Sequence, residues 1–179
     1  MSRVACYVAT PVIGAAVIGS YGYLMRQKDL GSYWGGLKGP VFKYWAISAF
    51  ITAASFLFLV INWCFLLDTK TTTVFDMSLD SAYGQIILPM LLVFLLSAAT
   101  WAWITVAARK GSKMASKAVT VCLWLTALSS FGLFLTAVGT REQGPKLGWK
   151  VPLATVAGMF VASHHIIWDA ELWRATWPY

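Results

Sequence analysis

The residues best suited to chemistry lie in one stretch near the end of the chain, His164-His165-Ile166-Ile167-Trp168-Asp169-Ala170-Glu171-Leu172-Trp173. Both histidines of the protein are here, with two of its seven acidic residues. On an α-helix His165 and Asp169, four apart, share one face. His164 is turned about 100° away at 3.6 residues per turn and lines up with Trp168 and Glu171. This places His164 at the periphery and His165 with Asp169 inside a helix bundle. The candidate ligand-binding residues are therefore His164, His165, Trp168, Asp169 and Glu171.

Several chemistries suit such a group. Imidazole is an axial ligand for haem or a pigment, but a haem clamped within one chain calls for histidines on facing helices, and these two are neighbours. An Asp-tuned histidine serves a proton relay or a hydrogen bond to a quinone. A metal site would draw on one helix that has no H-x-x-x-H, so no metal ligand is expected. The plainest role is a His165–Asp169 hydrogen bond that pins the helix to its neighbours. The sequence names no cofactor; bound lipid ranks ahead of quinone, pigment or haem.

Ala154, Gly158 and Ala162 form a small-xxx-small series on the same helix, which lets a second helix approach closely. Polar residues run in stripes on two other apolar segments: Ser48, Thr52, Ser55 and Asn62 on one, Cys122, Thr126, Ser129 and Thr136 on the other. Neither stripe carries a charge, as ion pathways usually do. Interhelical hydrogen bonding is the expected role, with Asn62 joining the small-residue series as a packing position.

Composition says what must hold these residues. Of 179 residues, 59% are hydrophobic and 12% charged, whereas a soluble domain is about 25% charged. A water-covered enzyme, a disordered chain and a disulfide scaffold are all excluded on that ground. A bilayer core takes about 20 apolar residues of helix, and unpaired backbone groups are not tolerated there. The expectation is an all-α polytopic membrane protein, a single domain over 1–179, with five transmembrane helices near 4–25, 44–67, 82–108, 118–140 and 151–172. The first has the length and basic flank of a secretory signal peptide too, and is read as a helix that stays.

The formal net charge is +7. Its basic residues sit between the apolar runs, and no nucleic-acid motif accompanies them, so nucleic acid is not an expected partner. Arg26, Lys28, Lys38 and Lys43 lie in the first connection and Arg109, Lys110, Lys113 and Lys117 in the third, while Asp68, Lys70, Asp76 and Asp80 make the second acidic on balance. The positive-inside rule puts the first and third connections on the inner side. The N-terminus is then outside and the C-terminus inside, although Arg141, Lys146 and Lys150 in the fourth connection run against the rule. Cys6, Cys64 and Cys122 lie singly in apolar runs and read as small buried hydrophobes. Among ten tryptophans, Trp34, Trp45, Trp149, Trp173 and Trp177 suit interfacial belts, and Trp63, Trp101, Trp103, Trp124 and Trp168 lie deeper.

No nucleophile elbow, H-E-x-x-H, S-x-x-K, P-loop or Rossmann fingerprint occurs, so no enzymatic activity is expected. The functional expectation is a non-catalytic multi-pass subunit of a larger membrane complex, an energy-converting one in a mitochondrial inner membrane or thylakoid. It would support assembly and packing, with membrane lipids and other subunits as partners. The alternative is a protein that binds or transports a lipid, quinone, pigment or haem through the His164/His165/Asp169 region.

Overall fold

The structure, a computed structural model, describes residues 3–27, 33, 37–143 and 148–176, the side chains of residues 3–7 excepted. Lys28, Trp34, Lys146, Trp177 and the Cys6 side chain, all used above, lie outside the described residues.

The chain is all-α in class, and among the described residues five helices are long and apolar enough to cross a membrane. They are α1 (Arg3–Met25), α2 (Gly39–Leu66), α3 (Leu79–Arg109), α4 (Lys113–Val138) and α5 (Lys150–Thr176). The expected runs are all present, with shifted ends. The fourth starts at Lys113 rather than 118 because the Ser112 hydroxyl caps it, accepting from the Ala115 N–H at 3.2 Å. It stops at Val138 rather than 140 because Thr140 belongs to a strand.

Local chemistry sets the turn between α3 and α4. Gly111 has φ +95°, a conformation that glycine adopts without a Cβ penalty. Its N–H donates to the Ala108 carbonyl at 3.0 Å and the Ser112 N–H to the Ala107 carbonyl at 3.3 Å. These are the two bonds of a Schellman motif, and the Ser112 cap restarts the helix at once. Two antiparallel helices thus join through three residues.

Helix α1 packs on α3, α3 on α4, α4 on α5 and α5 on α2. The row folds back where Phe56 of α2 stacks on Phe94 of α3, centroids 4.7 Å apart. Along α2 the inward residues Trp45, Ser48, Thr52, Ser55, Phe56 and Leu59 recur every three or four positions, while Tyr44, Ile47, Phe50, Ile51 and Leu57 face outward and exposed. An outer surface this apolar suits lipid rather than water.

Two apolar cores fill the bundle. One contains Leu59, Trp63, Tyr83, Phe94, Leu133 and Val161, and the other Leu24, Trp45, Trp101, Leu123 and Trp173. Trp45 and Trp173 are buried in the second of these cores, and Trp103 is 52% exposed on the outside of the bundle, where it stacks on Tyr23. Trp149 is exposed near the start of α5.

A small sheet was not anticipated. Strands β1 (Thr72–Val74), β2 (Met77–Ser78) and β3 (Thr140–Glu142) form an antiparallel sheet in the order β2-β1-β3, with Thr73 opposite Ser78 and Arg141. The β-branched run Thr71-Thr72-Thr73-Val74 favours strand. Phe75 and Asp76 both take positive φ, 49° and 64°, as a two-residue hairpin turn of type I′ requires. The sheet joins the connections after α2 and α4 at one end of the bundle. A helix of α3's length rises about 1.5 Å per residue, so Asp76 and Lys113 stand at opposite ends of it.

Candidate functional site

A ten-residue stretch in the second half of α5 departs from α-helical winding. From His164 to Trp173 its backbone follows the π pattern, closing i→i+5 rather than i→i+4. In that winding residues five apart come onto one face, and this changes the site. His165 Nδ1 lies 2.8 Å from Asp169 Oδ2. His164 Nε2, five residues before the same carboxylate, lies 3.6 Å from Oδ1. The side chains of His164, His165 and Asp169 are 4%, 13% and 18% exposed.

The expectation that His164 is peripheral is thus corrected. It is the more buried histidine, and its Nδ1 lies 2.9 Å from the Ser48 hydroxyl of α2. The reason is the wider turn, which brings His164 round to the Asp169 face. Trp168 is half-buried against the second core, and Glu171 is exposed and pairs with Arg174 at 3.5 Å. The five candidates therefore divide: His164, His165 and Asp169 come together, and Trp168 and Glu171 do not join them.

Residues from two other helices complete the surroundings. The Trp45 indole donates from Nε1 to Asp169 Oδ1 at 3.1 Å, and its ring stands 6.0 Å from that of His164. Phe94 meets the His165 ring edge to face at 5.0 Å. The group lies where the two apolar cores meet, touching Trp45 of one and Phe94 of the other. Sequence reasoning missed Trp45 and Phe94, which carry no signal beyond being aromatic. Ser48 was noticed as the head of the α2 stripe, without its partner.

The small-residue series sits at a close helix contact. Ala154, Gly158 and Ala162 are buried, and a Cβ on Gly158 would come within 3.1 Å of the Phe134 Cα on α4. Asn62 is fully buried and donates from Nδ2 to the Lys150 carbonyl at 3.1 Å. The Lys150 ammonium in turn donates to the Leu66 carbonyl at 2.8 Å, so the end of α2 and the start of α5 hold each other.

Most residues of the polar stripes make bonds within and between helices. Thr52 donates to the Phe160 carbonyl at 3.4 Å, Cys122 to the Ser97 carbonyl at 2.8 Å, and the Thr126 and Ser97 hydroxyls meet at 2.7 Å. Ser129 and Thr136 return to carbonyls of their own helix.

Chemically, the group offers one carboxylate and two imidazoles with their ligand atoms within 4.8 Å of one another. The two rings stand edge to face, centroids 5.1 Å apart, so they cannot flank the plane of one porphyrin. Comparison with family models, curated proteins and solved structures finds no match. The class the fold defines is thus an all-α bundle of five apolar, membrane-length helices.

Proposed function

We propose that this chain is a non-catalytic, multi-pass integral membrane subunit of a larger assembly. The observation that carries the reading is the outer face of α1. Val8, Pro11, Val12, Ala15, Ile18, Gly19, Gly22 and Met25 recur at helical spacing and are all exposed, and nothing lies within 4 Å of where a Cβ on Gly19 or Gly22 would point. Small residues on a membrane helix let a second backbone come close, and among the described residues nothing packs on these glycines. The proposed setting is an organellar energy-converting complex, with the basic connections on the inner side. The test is native mass spectrometry after extraction in mild detergent. The expected result is a stoichiometric complex whose partner is lost in Gly19→Leu and Gly22→Leu. A folded, solitary monomer would count against it.

A second reading is favoured by the convergence of His164, His165 and Asp169 under Trp45 and Phe94: the bundle binds a small ligand there. Extraction and mass spectrometry of the purified protein would reveal a lipid or quinone, and an absorption spectrum a pigment or haem.

A further inference from the structure

We propose that His164, His165 and Asp169 bind a divalent first-row transition-metal ion, with Zn²⁺ as the reference ion. The inference rests on the second reading above, naming its ligand class, and is independent of the subunit reading.

The donor set comes first. Two imidazoles and one carboxylate are the ligands that zinc, iron, nickel and copper take in proteins. Zinc bonds to nitrogen and carboxylate oxygen run roughly 2.0–2.2 Å, so ligand atoms around a tetrahedral ion stand about 3.3 Å apart. Here the three ligand atoms lie within 4.8 Å of one another, the His164–Asp169 approach is 3.6 Å and the His165–Asp169 approach 2.8 Å.

The His164–Asp169 separation is itself informative. At 3.6 Å it is too long for a hydrogen bond. His164 directs Nδ1 to Ser48 at 2.9 Å, which leaves Nε2 as the atom facing the carboxylate. In the tautomer whose Nδ1 proton goes to Ser48, the Nε2 lone pair and the carboxylate oxygen confront each other across a gap that a cation bridges.

The outer partners follow the same logic. Metal-bound histidines usually give their other ring nitrogen to a hydrogen-bond partner, and ligating carboxylates are hydrogen-bonded in turn. Ser48 does the first for His164 and Trp45 the second for Asp169. Three protein ligands leave a coordination position open, as in zinc sites that also bind a water or a substrate. All three ligands come from one π-helical segment, so the winding of α5 is what creates the site: an α-helical turn would carry His164 away from Asp169.

The experiment uses the full chain in detergent, its tag removed and its metal stripped with chelator, titrated with Co²⁺ and then Zn²⁺. One equivalent of Co²⁺ should bind with the visible d–d absorption of a four- or five-coordinate ion, and Zn²⁺ should displace it. Asp169→Asn and His165→Gln should abolish the spectrum. Ser48→Ala, which touches no metal, should weaken affinity about 10–100-fold. If the ligand variants do not fold, the wild-type cobalt spectrum decides alone, and its absence overturns the proposal. Equal binding in folded ligand variants overturns it too. A lipid or quinone retained at the site with no metal uptake overturns the metal assignment and leaves the second functional reading standing.

Discussion

The Ser48 hydroxyl lies 2.9 Å from His164 Nδ1, across 116 residues of chain. With the Trp45–Asp169 bond, this contact joins α2 to the π-helical segment of α5, and it decides which way the His164 ring faces. Ser48→Ala in metal-stripped protein should lower stability by about 1–3 kcal/mol, the cost of leaving a buried polar atom unpaired. Ser48→Thr, which keeps the hydroxyl, should cost less. Thermal unfolding in detergent reads the difference, and equal midpoints for Ser48→Ala and the wild type would refute it.

Gly158 faces α4 at its backbone, not at a flexible side-chain tip. A leucine there must push α4 and α5 apart around Phe134, and overpacking costs about 1–3 kcal/mol. Gly158→Leu should lower the unfolding midpoint, and Leu153→Ala, at an exposed position on the same helix, should leave it nearly unchanged.

Gly111 takes φ +95° in the turn joining α3 and α4. Gly111→Ala should destabilise by about 1–2 kcal/mol, the penalty for a Cβ in left-handed backbone, although nothing lies within 4 Å of that Cβ. Gly111→Asn should recover part of the loss. A neutral alanine variant in the same unfolding assay would contradict the backbone account.

The proposed membrane orientation predicts which residues meet which compartment. Asp76→Cys and Lys113→Cys, at opposite ends of α3, should react with a membrane-impermeant thiol reagent from opposite sides of sealed vesicles, Lys113→Cys from the inner one. Labelling of both from one side would refute the transmembrane reading of α3.

Much of this architecture was legible because its signals are strong and local. Five long apolar runs set the helices, and four-residue spacing anticipated the contact between His165 and Asp169, which holds in either winding. The position of His164 was not legible. No residue pattern distinguishes π from α backbone, and the step from one to the other moves a side chain round the helix without changing its neighbours in sequence. The sheet was hidden for a different reason. Strands of two and three residues are too short for alternation to show, and β1 pairs with β3 only once two further helices have brought them together. The bond from the Trp45 indole to Asp169 was hidden because its partners stand 124 residues apart in the chain.

That sheet also bears on biosynthesis. The ribosome makes β1 and β2 before α3 and α4, and β3 after both. Until Thr140 emerges, the hairpin around Phe75 and Asp76 has only one partner strand, and an isolated two-stranded hairpin is marginal in water. Its open side presents the backbone groups that later meet β3, such as the Phe75 N–H that donates to the Gly139 carbonyl at 3.0 Å. Closure is thus a late event in the life of the nascent chain. It ties the second connection to the fourth only after the intervening helices have been made, and a chain arrested before Thr140 would display a strand edge open to whatever machinery attends its synthesis.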